Sequence, residues 1–207
     1  LVWSFGDGST LNVHDTELGR IGMLICGENT NALAKYALMS QGEQIHISTY
    51  PACFPTSRSP SGGQDYFDTL MVRACSMSYE GKVFTVVSSQ ALDEQGYEIL
   101  SMGNREIRDL LDKLTYAGSM IVAPSGALCS DIIRENKEGI VYARCDISTE
   151  ICLKEMHDIS GNYQRTDVFH FEINKSVLEP AHVTGDGNTS AARDCFPYCE
   201  ATEAGAE

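Results

Sequence analysis

Apolar runs alternate along this chain with segments of helical periodicity. Residues 21–25 are apolar apart from one glycine, which predicts a buried strand, and residues 44–48 and 82–89 have the composition of further strands. Between these runs, apolar positions recur at helical spacing over residues 31–41 and 65–79. Strands that alternate with helices in this way predict an α/β layered domain.

The same alternation continues through the second half of the chain. Residues 104–114 are expected to form a helix and residues 118–123 and 139–147 to form strands, with a last regular element at 167–174. A loop rich in Pro, Ser and Gly spans residues 49–63. Long loops of this kind often carry function, so this segment is a candidate part of a binding site.

The length of the chain limits the number of domains, and its net charge limits the kinds of binding partner. A chain of 207 residues can bury one substantial core, so we expect one domain over residues 1–175 and a flexible acidic tail over 176–207. The formal net charge is −14 and no cluster of Lys and Arg interrupts it, so neither nucleic acid nor an anionic membrane is an expected partner. No apolar run reaches the length of a spanning helix.

The eight cysteines are dispersed through apolar segments, and no CxxC pair occurs among them. This distribution favours reduced thiols in the cytoplasm over a disulfide framework, and it predicts no metal site. Cys195 and Cys199 lie in the predicted tail, where we expect exposed thiols; a local metal-binding or disulfide pair is the alternative.

One cysteine, Cys26, stands at the end of the predicted strand and is followed by Gly27 and by two good helix N-caps, Asn29 and Asn31. Proteins of the α/β class usually keep their chemistry at the carboxyl ends of strands, and a helix N-terminus favours the thiolate. The Gly27 N–H is placed to stabilise a developing oxyanion. A small apolar core residue is the alternative role for Cys26, and the pattern alone does not separate the two.

A nucleophilic thiolate also needs a base and a cation. No histidine is close to Cys26 in sequence, and His46 alternates with Ile45 and Ile47, which indicates a structural position. Lys35 follows on the predicted helix about 13 Å along the axis, too far to serve. A partner that meets Cys26 only in the folded structure stays open.

Ordered blocks of sequence carry a family resemblance. The segment "GRIGMLICGENTNALAKYALMSQGEQIHISTYP" (19–51) resembles the nucleophile segment of the nitrilase branch of the carbon–nitrogen hydrolase superfamily. "VFTVVSSQ" (83–90), "GSMIVAPSGALCS" (118–130) and "DISGNYQRTDVFHFEIN" (158–174) resemble later blocks of the family, in family order. The resemblance implies an αββα layered sandwich of the nitrilase type, truncated at its N-terminus.

The resemblance implies a Glu–Lys–Cys triad in which Cys26 is the nucleophile and the Gly27 N–H helps to hold the oxyanion. In this family the glutamate and the lysine come from segments upstream of the nucleophile, so we expect both before Leu1 and expect the 207-residue chain itself to be nearly inactive. No cofactor is implied. Homo-oligomers, either dimers or larger spirals, are expected.

The implied reaction is hydrolysis of an organic nitrile to a carboxylic acid and ammonia through a cysteine thioimidate and an acyl-enzyme. Hydration of a nitrile or cyanide to an amide is one alternative, and a non-catalytic nitrilase-like assembly module is another. The loop 49–63 corresponds to the region that shapes the substrate pocket, which makes Thr49, Tyr50 and Pro51 pocket candidates.

Three positions depart from the family pattern. Gly27 stands where tryptophan is common, which opens space beside the nucleophile, and Asn162 and Thr166 replace the usual histidine and proline of the closing block.

Overall fold

In the computed structural model, which describes residues 6–54 and 65–178, six strands form one mixed sheet whose spatial order follows the chain. The strands are β1 (His14–Thr16), β2 (Gly19–Ile25), β3 (Ile45–Tyr50), β4 (Phe84–Ser89), β5 (Gly118–Val122) and β6 (Ile133–Arg134). β2, β3 and β4 run parallel, whereas β1, β5 and β6 pair antiparallel with their neighbours. All six strands lie in the compact unit Leu1–Ser176.

Helices lie between and after the strands of the sheet. They are a short 3-10 helix (Cys26–Thr30), α1 (Ala32–Ser40), α2 (Tyr66–Gly81), α3 (Glu94–Ser101), α4 (Arg105–Leu111) and α5 (Thr149–Met156). The long helix α2 begins where the Asp65 carboxylate accepts the backbone N–H of Phe67. It ends at Gly81 and is capped by Lys82, whose φ of 52° is left-handed.

One face of the sheet packs against α2 and forms the main core. Side chains from β3, β4 and β5 meet those of α2 there, and the cluster consists of Tyr50, Tyr66, Phe67, Leu70, Ala74, Val87, Ala117, Met120 and Val122. Strand register explains the selection, because Leu24, Ser48, Val87 and Met120 lie side by side across four strands and all point to this face.

The opposite face carries a second apolar row. Met23, Ile47, Val86 and Ile121 lie in register across the same four strands. Met23 remains 50% exposed, and Ile25, which lies on the same strand, remains 44% exposed. The described residues therefore hold one sheet with one well-covered face, as a single half of a two-sheet sandwich does.

Several sequence expectations need correction. Residues 139–147 were expected to form a strand, yet no strand partner accompanies them in the described part of the chain, and Ile140 and Tyr142 are largely exposed. Residues 167–174 form turns and irregular backbone rather than a regular element. α3 and α5 were not predicted, because both are short and only weakly apolar.

The boundary between a domain over 1–175 and a tail over 176–207 stays a prediction, since residues 179–207 lie outside the described residues. Within the described ranges, none of the helices combines the length and the apolar composition that a membrane span requires.

Candidate active site

Cys26 lies at a sharp elbow between β2 and the helices that follow. Its φ is +45°, a left-handed conformation that a residue with a Cβ rarely adopts. Such backbone strain concentrates at functional sites. One of the two expected N-caps is confirmed, because α1 begins at Ala32 and is capped by Asn31, whose side chain accepts two backbone N–H groups. The short 3-10 helix that Cys26 begins was not predicted.

A cavity of about 560 Å³ opens beside Cys26 at the carboxyl ends of the parallel strands. Strand register brings these ends together, since Ile25 lies opposite Thr49 and Thr49 lies opposite Ser88. The lining residues are Ile25, Cys26, Thr49, Tyr50, Pro51, Ser88, Ser89 and Gln90. The structure thus brings Cys26 and the three pocket candidates together, and their roles in binding and catalysis stay predictions.

The hydroxyl of Tyr66 is the polar group found nearest the thiol among the described contacts. It lies 3.9 Å from the Cys26 Sγ, within hydrogen-bond reach of a sulfur atom. Burial raises the pKa of Tyr66 well above its ordinary value, and the negative charge of a Cys26 thiolate acts in the same direction. Tyr66 therefore stays a neutral hydroxyl, and either this hydroxyl or the Cys26 thiol can be the donor in the contact.

Tyr50 and Arg73 lie close to this contact and, with Tyr66, form a polar wall. The Tyr50 ring meets the Tyr66 ring edge to face, with 6.5 Å between centroids. Burial raises the pKa of Tyr50 as well, while the positive charge of Arg73 opposes the rise at both tyrosines. The wall accordingly presents neutral hydroxyl groups beside a guanidinium.

Gly27 and Glu28 complete the elbow on its exposed side. A Cβ on Gly27 would meet no heavy atom within 4 Å, so open space lies where the family commonly carries tryptophan. The Glu28 carboxylate accepts the Ile25 N–H at 2.7 Å and so ties the turn to the end of β2. The oxyanion role of the Gly27 N–H stays a prediction.

Lys35 and His46 occupy positions away from the thiol. Lys35 Nζ donates to the Glu80 carboxylate at 3.0 Å and to Ser76 Oγ at 3.4 Å, so it joins α1 to α2. His46 is fully buried on the helix-covered face of the sheet, opposite to Ile45 and Ile47, as strand alternation predicted.

Sequence reasoning missed Tyr66 and the strand end Ser88–Gln90. The parallel arrangement of β3 and β4 was a usable signal for the second, because carboxyl ends of parallel strands share one edge of a sheet. No comparable signal marked Tyr66, which lies 40 positions from Cys26 and reaches it only through the packing of α2.

The other thiols within the described residues are free and unremarkable. They are Cys53, Cys75, Cys129, Cys145 and Cys152, and burial raises the pKa of the first four. In residues 6–54 and 65–178 no group of three or more His, Cys, Asp or Glu side chains is arranged to hold a metal ion. Cys195 and Cys199 lie outside the described residues.

Fold and site together define an α/β protein with a candidate cysteine nucleophile at the carboxyl edge of parallel strands. The family model described as "Carbon-nitrogen hydrolase" matches residues 1–155. The chain belongs to the carbon–nitrogen hydrolase family, which confirms the resemblance drawn from its ordered sequence blocks.

Curated relatives include a bromoxynil-specific nitrilase from Klebsiella pneumoniae subsp. ozaenae, 36% identical over 93% of this chain and 53% of that protein. A bifunctional nitrilase/nitrile hydratase from Nicotiana tabacum is 29% identical over 95% of this chain and 53% of that protein. The chain therefore spans about half the length of the curated relatives it matches.

Solved structures agree at the level of the fold. A carbon–nitrogen hydrolase from Helicobacter pylori G27 superposes with a TM-score of 0.57 at 16% identity, covering 75% of this chain and 50% of that chain. The expected α/β architecture of the nitrilase type is thereby confirmed.

Proposed function

We propose that this chain supplies the nucleophile and part of the substrate pocket of a nitrilase. The observation that carries the proposal is the placement of Cys26 on a strained elbow, beside a cavity and within reach of the Tyr66 hydroxyl. The relatives named as nitrilases support the substrate class.

The proposed reaction proceeds in balanced steps. The Cys26 thiolate adds to the nitrile carbon, and protonation of the nitrogen gives a thioimidate. One water then adds, and departure of ammonia leaves a thioester. A second water hydrolyses the thioester, which releases the carboxylic acid and regenerates the thiol. The Gly27 N–H and the Tyr66 hydroxyl supply hydrogen bonds to the charge that develops during these additions.

The general base and the cation are proposed to come from family segments outside these 207 residues. Within the described part of the chain, the nearby candidates are engaged elsewhere: Lys35 pairs with Glu80, and Glu28 binds the Ile25 N–H. We accordingly expect the 207-residue chain alone to turn over nitriles far more slowly than the protein encoded by the complete reading frame.

The product defines a second candidate function. If ammonia leaves the tetrahedral intermediate the product is the acid, whereas departure of the thiol gives the amide. Because the relative from Nicotiana tabacum is named a bifunctional nitrilase/nitrile hydratase, both the acid and the amide are measured in the test.

The test uses the protein encoded by the complete reading frame and its Cys26→Ala variant. Each is incubated with aliphatic, aromatic and arylaliphatic nitriles, and acid, amide and ammonia are quantified. Acid with equimolar ammonia supports the nitrilase, amide without ammonia supports hydration, and no turnover of any nitrile by the wild-type protein supports the assembly module. Turnover that survives in Cys26→Ala contradicts the proposed role of Cys26.

We also propose a cytoplasmic homo-oligomer. The free cysteines of the described residues favour a reducing compartment. Exposed apolar side chains on and beside α3 and α4, among them Ile99, Met102 and Leu110, are candidates for a subunit contact. Light scattering after size exclusion tests this, and a monomer at micromolar concentration contradicts it.

A further inference from the structure

A buried chain of polar side chains runs beneath the Cys26 elbow. Asn29, which is 4% exposed, donates from Nδ2 to the carbonyl of Leu24 at 3.0 Å and to the carbonyl of Cys26 at 3.3 Å. It therefore binds the backbone on both sides of Ile25, where the strand ends and the left-handed Cys26 begins the turn.

The amide of Asn29 is itself held from below. Because its Nδ2 pairs with the two carbonyls, its Oδ1 is the acceptor for His46 Nε2 at 2.8 Å and for Ser48 Oγ at 2.9 Å. His46 Nε2 must then carry a hydrogen, which fixes one end of the imidazole as a donor. The ring has little freedom to turn, since it is fully buried in β3.

Glu43 completes the chain at its far end. Its Oε1 lies 2.8 Å from His46 Nδ1, and neither side chain is exposed to solvent. Glycine at position 22 makes room for the pair, because a Cβ there would collide with the Glu43 carboxylate.

Burying these polar groups is costly unless they are fully paired, so their presence beneath an elbow calls for a reason. A polar group is not needed to fill this part of the core, which elsewhere on the same face uses Val87, Met120 and Val122. This polar network holds the carbonyl of Cys26 through Asn29 while Cys26 keeps a strained φ of +45°.

We propose that Asn29 and His46, supported by Glu43, are positioning residues that hold the Cys26 sulfur in its attacking orientation. The inference rests on the proposed role of Cys26 as nucleophile. None of the three side chains needs to touch the substrate; they act through the backbone of Cys26, so their loss should slow the chemical step more than it weakens substrate binding.

The decisive variant is Asn29→Asp, tested in the protein encoded by the complete reading frame. Aspartate has nearly the same shape and keeps an oxygen that accepts the hydrogen bonds from His46 and Ser48. It cannot donate to the carbonyls of Leu24 and Cys26. We expect kcat to fall at least tenfold with KM changed less than threefold. Asn31→Asp is the matched control: it makes the same exchange in the same segment, and aspartate caps a helix as well as asparagine does.

Two variants of His46 test the next link. His46→Leu removes both hydrogen bonds and is expected to lower kcat at least tenfold, whereas His46→Gln keeps a donor toward Asn29 and is expected to recover most of that loss. A residue that only fills space would show no such rescue, because leucine fills the site as well as glutamine does. Circular dichroism and thermal unfolding establish that each variant compared is folded.

If Asn29→Asp or His46→Leu does not fold, Ser48→Ala replaces it, since it removes a single hydrogen bond to Asn29 Oδ1. A two- to fivefold fall in kcat at constant KM then supports the proposal. The proposal is overturned if the folded variants keep kcat within twofold of the Asn31→Asp control, or if KM rises in step with the loss. Should Cys26→Ala retain turnover in the same assay, the proposed nucleophile fails instead, which separates the two claims.

Discussion

The hydroxyl of Tyr66 lies 3.9 Å from the sulfur of Cys26, although the two residues come from different elements that are 40 positions apart in the chain. Tyr66 is the first residue of α2, and Cys26 directly follows the end of β2, so the contact depends on how α2 packs on the sheet. Under the proposal that Cys26 reacts as a thiolate, the neutral Tyr66 hydroxyl would stabilise its charge by donating a hydrogen bond.

Removing this hydroxyl should slow the chemical step. For Tyr66→Phe we expect kcat to fall about five- to tenfold, because one hydrogen bond to a charged but weakly accepting sulfur is worth about 1 kcal/mol. The ring and its packing against Tyr50 are retained, so stability should change little. Steady-state kinetics on the complete protein measures the effect.

Tyr79→Phe is the control for this variant, since Tyr79 lies on the same helix and is 52% exposed. An unchanged kcat in Tyr66→Phe, or a loss confined to KM, would show that the hydroxyl serves substrate packing and not the thiolate.

Folding stability should depend on pH through Glu150 on α5. Burial raises the pKa of Glu150 to about 8, and Glu43 adds to this while Lys154 and Gln44 oppose it. Because the folded pKa lies above the ordinary value of 4.5, the folded state binds the proton more tightly. The resulting stabilisation is fully present below pH 4.5 and is lost as the pH rises toward 8.

Glu150→Gln removes this dependence because glutamine is neutral at every pH. We expect the variant to be more stable than the wild type at pH 8, by an amount on the order of 1–3 kcal/mol, and nearly equal to it at pH 5. Urea unfolding at the two pH values measures the difference. Glu155→Gln, an exposed exchange on the same helix, serves as the control, and an equal shift in both variants would refute the role of burial.

Lys35 provides a test of where the catalytic cation originates. Its ammonium pairs with Glu80 and not with any group at the cavity, so Lys35→Ala should leave turnover within twofold of the wild type. The partly exposed ion pair is worth up to about 1 kcal/mol of stability. A loss of turnover greater than tenfold in a folded variant would instead identify Lys35 as the cation.

The sequence predicted the part of the fold that periodicity controls. β2, β3, α2 and β4 were expected within a few residues of their observed limits, because each is apolar enough to show its period. The segment 139–147 shows the limit of this signal. Its apolar composition is that of a strand, but a strand also requires a hydrogen-bonding neighbour, which the described residues do not provide.

The site was predicted less completely, for a physical reason. Cys26 was recognisable because strand, glycine and caps are neighbours in sequence, and family blocks reinforced the reading. The hydrogen-bonded network from Glu43 through His46 to Asn29 was not recognisable. Its members come from a loop, a strand and the 3-10 helix, and they are paired only in three dimensions. His46 was expected in a structural position that alternates with Ile45 and Ile47, and the structure shows it buried, but alternation along one strand could not show its partners.

Cys26 is proposed to be the nucleophile that carries the covalent intermediate. Trypsin should release residues 21–35 as one peptide, in which Cys26 is the single cysteine, so an adduct there is unambiguous. The complete protein is mixed with a nitrile, quenched in acid during turnover, digested and examined by mass spectrometry. We expect a thioimidate or acyl adduct on this peptide, and neither an adduct nor turnover in Cys26→Ala. Turnover without an adduct at Cys26, or turnover by Cys26→Ala, would contradict it.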